Sequence, residues 1–217
     1  MNAAIPDSVR YARAIGAFDA ANAGDPNHAD DAGARRPQEL LYAERLSAML
    51  ARFAPNASEV LRLAARCQHL ERWRIPRVDY PMTREGYREW RSRLFDFHAE
   101  RAGAILREAG YDDATAGRVR SLIRKEALKT DAEAQVLEDV VALTFLESYL
   151  ERFVAKHADY DDAKFADILG KTARKMSAAG RAAVFTLIAP PAALLPVLRA
   201  AFAQPLAGVS PNSAARS

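Results

Sequence analysis

The sequence predicts an all-α protein, and three observations carry the prediction. Ala, Leu, Arg and Glu dominate a chain of 217 residues that is 50% hydrophobic, and these are strong helix formers. Apolar residues recur at three- and four-residue spacing, the period of a helix with one buried face. Runs rich in Val, Ile and Thr with two-residue alternation do not occur. This length and apolar content suffice to bury a core without disulfide or metal staples. The expectation is a single-domain helical bundle over residues 1–188, with an Ala/Pro-rich, partly flexible extension over 189–217.

Taken in order, the helices are expected at about 8–20, 38–54, 57–70, 84–109, 113–127, 131–157, 161–170 and 177–188, with a short one near 192–203. Asn56 with Glu59, and Thr130 with Glu133, have the spacing of a cap and its reciprocal carboxylate. Gly110 is placed to end a helix in the left-handed conformation. Residues 21–37, rich in Asp, Asn, Ala and Gly, read as an exposed loop, and the last dozen as a frayed tail. Between Ile75 and Thr83, Pro76 and Pro81 forbid a continuous helix and predict an ordered loop between two helices, where binding residues collect.

The 31 basic and 28 acidic residues leave a net charge of only +3. Cys67 is the sole cysteine, which excludes an intrachain disulfide and a four-cysteine zinc site and fits a reducing, cytoplasmic setting. Residues 1–7 lack the basic and apolar regions of a secretory leader. The uncharged stretch 182–198 is interrupted by Pro190, Pro191 and Pro196, so a membrane partner is not expected.

Arginine is concentrated. From Arg62 to Arg93 there are nine arginines, no lysine and four acids. A planar guanidinium fork matches phosphate or carboxylate, whereas a surface needing only charge could equally use lysine. Trp73, Tyr80, Tyr87 and Trp90 lie in the same stretch and could stack on a base. Helical phase then asks which ionisable groups face inward. His98 falls on the stripe of Leu94, Ala102, Ile105 and Ala109, with Glu100 pointing away. Asp139, and not Glu138, continues the stripe of Leu143, Leu146, Leu150 and Phe153. Glu71 continues the face of Val60, Leu63, Ala64 and Cys67 if that helix persists, which would turn His69 outward; Glu126 continues Val119, Leu122 and Ile123. Inward His and carboxylate groups on several helices are how helical domains assemble metal sites.

The runs Asp25-Pro26-Asn27, Glu39-Leu40-Leu41-Tyr42, 66–77, 80–90, His98-Ala99, 135–139 and 171–177 together resemble the domain-of-unknown-function family numbered 4202, over roughly residues 10–188. More distantly, Tyr42 to Leu46, Leu63 to His69, His98 and Leu137 to Val140 are similar in order to the HD-domain metal-dependent phosphohydrolases. That resemblance implies an HD-domain-like helical bundle with metal ligands on successive helices. It departs where the superfamily's first His aligns near Tyr42, where the adjacent His-Asp pair becomes His69-Leu70, and where a later His falls near Lys125 or Glu126. Lys175-Met176-Ser177 is similar to the lysine loop of class I aminoacyl-tRNA synthetases. No parallel sheet or His-containing partner motif accompanies it, and Ser177 also reads as a helix N-cap.

The functional expectation is binding, and hydrolysis, of a phosphorylated small molecule or nucleotide. His98, Asp139 and either His69 or Glu71 would hold a divalent transition metal (Mn, Fe, Co, Ni or Zn), with Glu71 and Asp139 in catalysis. Arg72, Arg74, Arg77, Tyr80, Arg84, Trp90, Arg91, Lys125, Lys171 and Lys175 would bind substrate. The alternatives are a non-catalytic nucleotide- or RNA-binding module, for which +3 is a modest charge, and an interaction protein whose arginines form an ion-paired surface.

Overall fold

A computed structural model describes residues 9–202, and the expected tail beyond them and the first seven residues lie outside that range. Among the described residues the structure is all-α apart from one hairpin, and it divides into two compact units, one ending at Thr144 and one starting at Phe145.

In the first unit, α1 (Val9–Ala23) buries Ala14, Phe18 and Asn22, one residue per turn. A hairpin follows where a loop was expected. Strands β1 (His28–Asp31) and β2 (Ala34–Pro37) pair antiparallel, with Asp31 opposite Ala34. The two linking residues, Ala32 and Gly33, both have positive φ, the two-residue turn that matches strand twist. Four-residue polar strands carry too little apolar alternation to be seen in sequence. Ion pairs secure them instead: Arg36 with Glu44 at 2.8 Å and Arg45 with Asp31 at 2.9 Å.

Helix α2 (Gln38–Phe53) buries Leu41, Leu46, Met49 and Leu50. Helix α3 (Glu59–Arg66) ends four residues earlier than expected, and its N-cap is Ser58, whose hydroxyl accepts from the Leu61 N–H at 3.1 Å, not Asn56. Helix α4 (Arg84–Glu108) is capped by Thr83 and stops, as expected, at a left-handed Gly110. Two glycines in α4 are required by close approach. A Cβ on Gly86 would lie 2.2 Å from the Pro81 carbonyl oxygen, and one on Gly103 would lie 2.8 Å from Arg120 Cδ. Helix α5 (Asp113–Arg124) packs along α4, and Leu63, Leu94, Leu106, Leu122 and Ile123 are at most 2% exposed.

Helix α6 (Ala132–Ser148) is started by Asp131, which accepts from the N–H groups of Glu133 and Ala134; the Thr130 hydroxyl instead donates to Ala127. The single helix expected over 131–157 is broken at Tyr149 (φ −130°, ψ −13°), and α7 (Leu150–Lys156) follows. The second unit continues with α8 (Asp162–Ala173), α9 (Ala178–Thr186, capped by Ser177 as the sequence indicates) and α10 (Leu195–Phe202). Helix α10 buries Leu198, Ala201 and Phe202 and packs on α8, so the first part of the expected extension is ordered. Among the described residues no helix is long and apolar enough to cross a membrane.

Candidate functional site

One face of α4 organises the site. Tyr87, Trp90, Arg91, Leu94, Phe95 and His98 recur at three- and four-residue spacing and so share that face. The Arg72 guanidinium lies over Trp90 at 4.8 Å, Arg91 over Phe95 at 4.9 Å and Tyr87 at 6.0 Å, and Lys125 Nζ over Phe95 at 5.8 Å. Trp90 is nearly buried and its Nε1 donates to the Ile75 carbonyl at 2.9 Å, fastening the arginine-rich loop to the helix.

The opposing wall is the turn after α3. Because that helix ends at Arg66, His69 is not turned outward. Its ring stacks on Tyr42 at 4.2 Å and 10°, and its centroid is 5.8 Å from that of His98. The chain reverses at Glu71, a non-glycine residue with φ +50°, a conformation that persists only when its surroundings hold it. Here the Glu71 N–H donates to Asn22 Oδ1 at 2.9 Å, while Arg101 Nε and Arg74 Nη1 reach its carboxylate at 2.6 and 3.4 Å. Asn22 Nδ2 also donates to the Glu39 carbonyl, and Asp25 accepts the Glu39 N–H at 3.0 Å. Two polar residues of the expected loop are thus buried, and they set the positions of Glu39 and Glu71. Lys125, which closes α5 at φ +59°, is the other strained residue at the site.

The electrostatics follow from burial and charge. His98 is 1% exposed, and its Nδ1 lies 2.8 Å from the Leu70 carbonyl oxygen. A carbonyl only accepts, so Nδ1 carries the proton. Burial, with the neighbouring His69, lowers the His98 pKa to about 3, so the ring is neutral and Nε2 presents a lone pair. That lone pair is buried and has no hydrogen-bond partner among the described residues. His69 is also uncharged, held well below the usual imidazole range by burial and by Arg72, Arg91 and Lys125. Glu39 is 5% exposed, with its carboxyl pushed up by burial. Its Oε2 is 3.5 Å from His69 Nδ1 and its Oε1 is 3.9 Å from Arg72 Nε. The cluster reaches solvent through His69 and Arg72, whose side chains are 24% and 25% exposed.

The other expected site residues are distributed as follows. Arg77 donates to the carbonyls of Tyr80 and Pro81 at 2.9 and 2.8 Å, bracing the loop to which Tyr80 belongs. Arg74 is half-exposed beside Glu71, and Arg84 is exposed at the start of α4. Lys125 forms a close ion pair with Glu138, which is itself buried. Asp139 is buried and accepts from Gln135 Nε2 at 3.2 Å. Glu126, expected to face inward, is 54% exposed because α5 ends two residues earlier and Lys125 reverses the chain. Lys171 and Lys175 belong to the second unit; both are exposed, and Lys171 pairs with Asp167 at 2.6 Å, one turn away.

Sequence reasoning named His69, His98, Arg72, Arg91 and Lys125, which the fold brings together, but missed Asn22, Asp25, Glu39 and Tyr42 as parts of the site. The signal available for Asp25, Glu39 and Tyr42 was their membership of the recurring motif segments. Among the described residues no three His, Cys, Asp or Glu side chains are gathered in a metal-holding group.

Comparison with known proteins gives one match: the family model "Domain of unknown function (DUF4202)" covers residues 12–195. No curated protein and no solved structure matches the chain.

Proposed function

The chain belongs to that family of unknown function, and we propose that it binds a phosphorylated small molecule or nucleotide at the His69–His98 cluster. The observation that carries this reading is the convergence of Arg72, Arg91 and Lys125 on an imidazole they help keep uncharged. Three cations around a neutral ring, of which Lys125 is paired with Glu138, create positive potential in a half-buried place, where an anion gains most from direct hydrogen bonds. Arg91 is the most available of the three. Among the described residues its contacts are the aromatic faces of Tyr87 and Phe95, with no carboxylate ion pair. Tyr42, Trp90 and Tyr87 line the same region and suit an organic moiety attached to the phosphate.

The divalent transition metal implied by the distant phosphohydrolase resemblance fits these residues only in part. His98 has the arrangement of a metal ligand, with Nδ1 on a carbonyl and Nε2 free, and His69 lies beside it. Glu71, however, is held by two arginines, and no three-ligand group is assembled among the described residues. The binding reading therefore stands on the cations and on no metal.

The test is calorimetric titration and thermal shift with inorganic phosphate, sugar phosphates, mononucleotides and short RNAs, in wild type and Arg91→Ala. Binding of a compact phosphate compound, weakened at least about tenfold by Arg91→Ala, supports the reading, since a charge-assisted hydrogen bond contributes about 1.5–3 kcal/mol. Binding of RNA alone with a steep salt dependence would favour the nucleic-acid module instead. Release of inorganic phosphate from a bound ester would extend binding to hydrolysis.

A further inference from the structure

His98 constrains the ligand more tightly than the cations do. Its Nδ1 proton is committed to the Leu70 carbonyl at 2.8 Å, so Nε2 can only accept. A buried acceptor left without a donor costs about 1–3 kcal/mol and calls for a partner. The nearest groups do not provide one. Glu39 and Arg72 are near enough to act on His98 electrostatically, but neither hydrogen-bonds to its Nε2; Glu39 Oε2 is 3.5 Å from His69 Nδ1 and Glu39 Oε1 is 3.9 Å from Arg72 Nε. A fully ionised phosphate does not provide one either, because its oxygens are acceptors. Arg72, Arg91 and Lys125 supply donors to such a phosphate, and His98 adds a site of the opposite hydrogen-bonding sense within one ring's breadth, 5.8 Å from His69 between centroids.

Resting on the phosphate reading above, we infer that the natural ligand is a hydroxyl-bearing phosphate ester, whose O–H donates to His98 Nε2 while its phosphate is held by Arg72, Arg91 and Lys125. Sugar phosphates, polyol phosphates and ribonucleotides share this chemistry; inorganic phosphate and simple alkyl phosphates lack it. The neutral imidazole is then a specificity-determining residue. An acceptor tied at its other nitrogen rejects ligands with nothing to donate, because they leave it buried and unpaired.

The experiment compares glycerol 3-phosphate with propyl phosphate, which has the same carbon chain without hydroxyls, by titration calorimetry on wild type and His98→Phe. Ribose 5-phosphate serves as a larger probe. In wild type the hydroxyl-bearing ester should bind about tenfold more tightly, the worth of one hydrogen bond, and in His98→Phe the two should bind alike. Equal binding to wild type, or a preference that survives His98→Phe, overturns this inference and leaves the phosphate reading intact. Failure of every phosphate compound to bind overturns the phosphate reading itself. Should His98→Phe fail to fold, imidazole ¹⁵N shifts of wild type decide the question. An Nε2 resonance that moves toward the hydrogen-bonded position with glycerol 3-phosphate but not with propyl phosphate supports the inference. A resonance unmoved by either, or one moved by Mn, Co or Zn salts alone, places a water or a cation on the lone pair and overturns it.

Discussion

Helix α4 carries two charged regions that use the same residue types in opposite ways. Toward the rim of α5, Arg120 and Arg124 meet Glu100 at 2.5 and 2.7 Å, and Arg124 meets Asp96 at 2.9 Å. Each cation there has an acid and each acid is more than half exposed. On the other face, Arg72 and Arg91 lie on aromatic rings, and the acid near Arg72 stays 3.9 Å away. Charge paired with charge at a wet surface is nearly neutral in energy and asks for nothing more. Cations set over aromatic faces beside neutral imidazoles keep their hydrogen-bond donors available, and this separates the face proposed to bind a ligand from the ion-paired one on the same helix.

The sharpest test of this contrast is to dismantle the turn that faces the aromatic side of α4. Glu71→Ala leaves the partly exposed Arg101 without its partner and places an alanine at φ +50°. It should lower stability by about 2 kcal/mol, the scale of hydrogen bonds to a charged group, seen as a fall in the urea midpoint. If stability is unchanged, the turn is not held as described.

Next in size is a pH effect that only the aromatic, histidine-bearing face should show. Because the folded-state pKa of His98, about 3, lies below the ordinary imidazole value near 6.5, the unfolded chain takes up a proton first on acidification. Its contribution to stability is complete above pH about 6.5 and is lost as the pH falls toward 3, at up to about 1.4 kcal/mol per pH unit. His69 acts with the same sign. Denaturant titrations from pH 7 to 4 should give a slope shallower in His98→Phe than in wild type by up to one proton; parallel slopes would mean that His98 is charged in the fold.

Smallest is the outer face. Arg124→Ala and Glu100→Ala should each change stability by about 1 kcal/mol or less and leave phosphate binding within twofold of wild type. Arg91→Ala should do the reverse, with little loss of stability and at least about a tenfold loss of binding. Loss of binding in Arg124→Ala would merge the two faces and remove the distinction between them.

Local rules account for much of this. The period of Leu94, Ala102, Ile105 and Ala109 placed His98 inside and Glu100 outside. Gly110 and Ser177 ended and began helices where their chemistry requires, and Asp139 proved buried as its stripe implied. The same reasoning failed for Glu126, because α5 stops early and periodicity holds only while the helix lasts; for His69 it was conditional on α3 persisting, and α3 stops at Arg66. Lys125 ends α5 at positive φ, and Glu71 reverses the chain five residues after α3 in the same conformation, which no local preference of lysine or glutamate favours and which, at Glu71, the distant partners Asn22 and Arg101 stabilise.

What the sequence alone determined is the helical class, the inward placement of His98 and an arginine-rich stretch whose chemistry suits an anion. Each follows from composition or from a period of 3.6, which a residue and its near neighbours contain. Only the tertiary structure decided that Asn22, at the end of α1, and Asp25, just after it, anchor Glu39 and Glu71, that the hairpin forms, and that His69 meets His98 across 29 positions. Buried polar groups must find partners wherever the fold brings them, and the identity of those partners is a property of the folded chain, not of any local pattern.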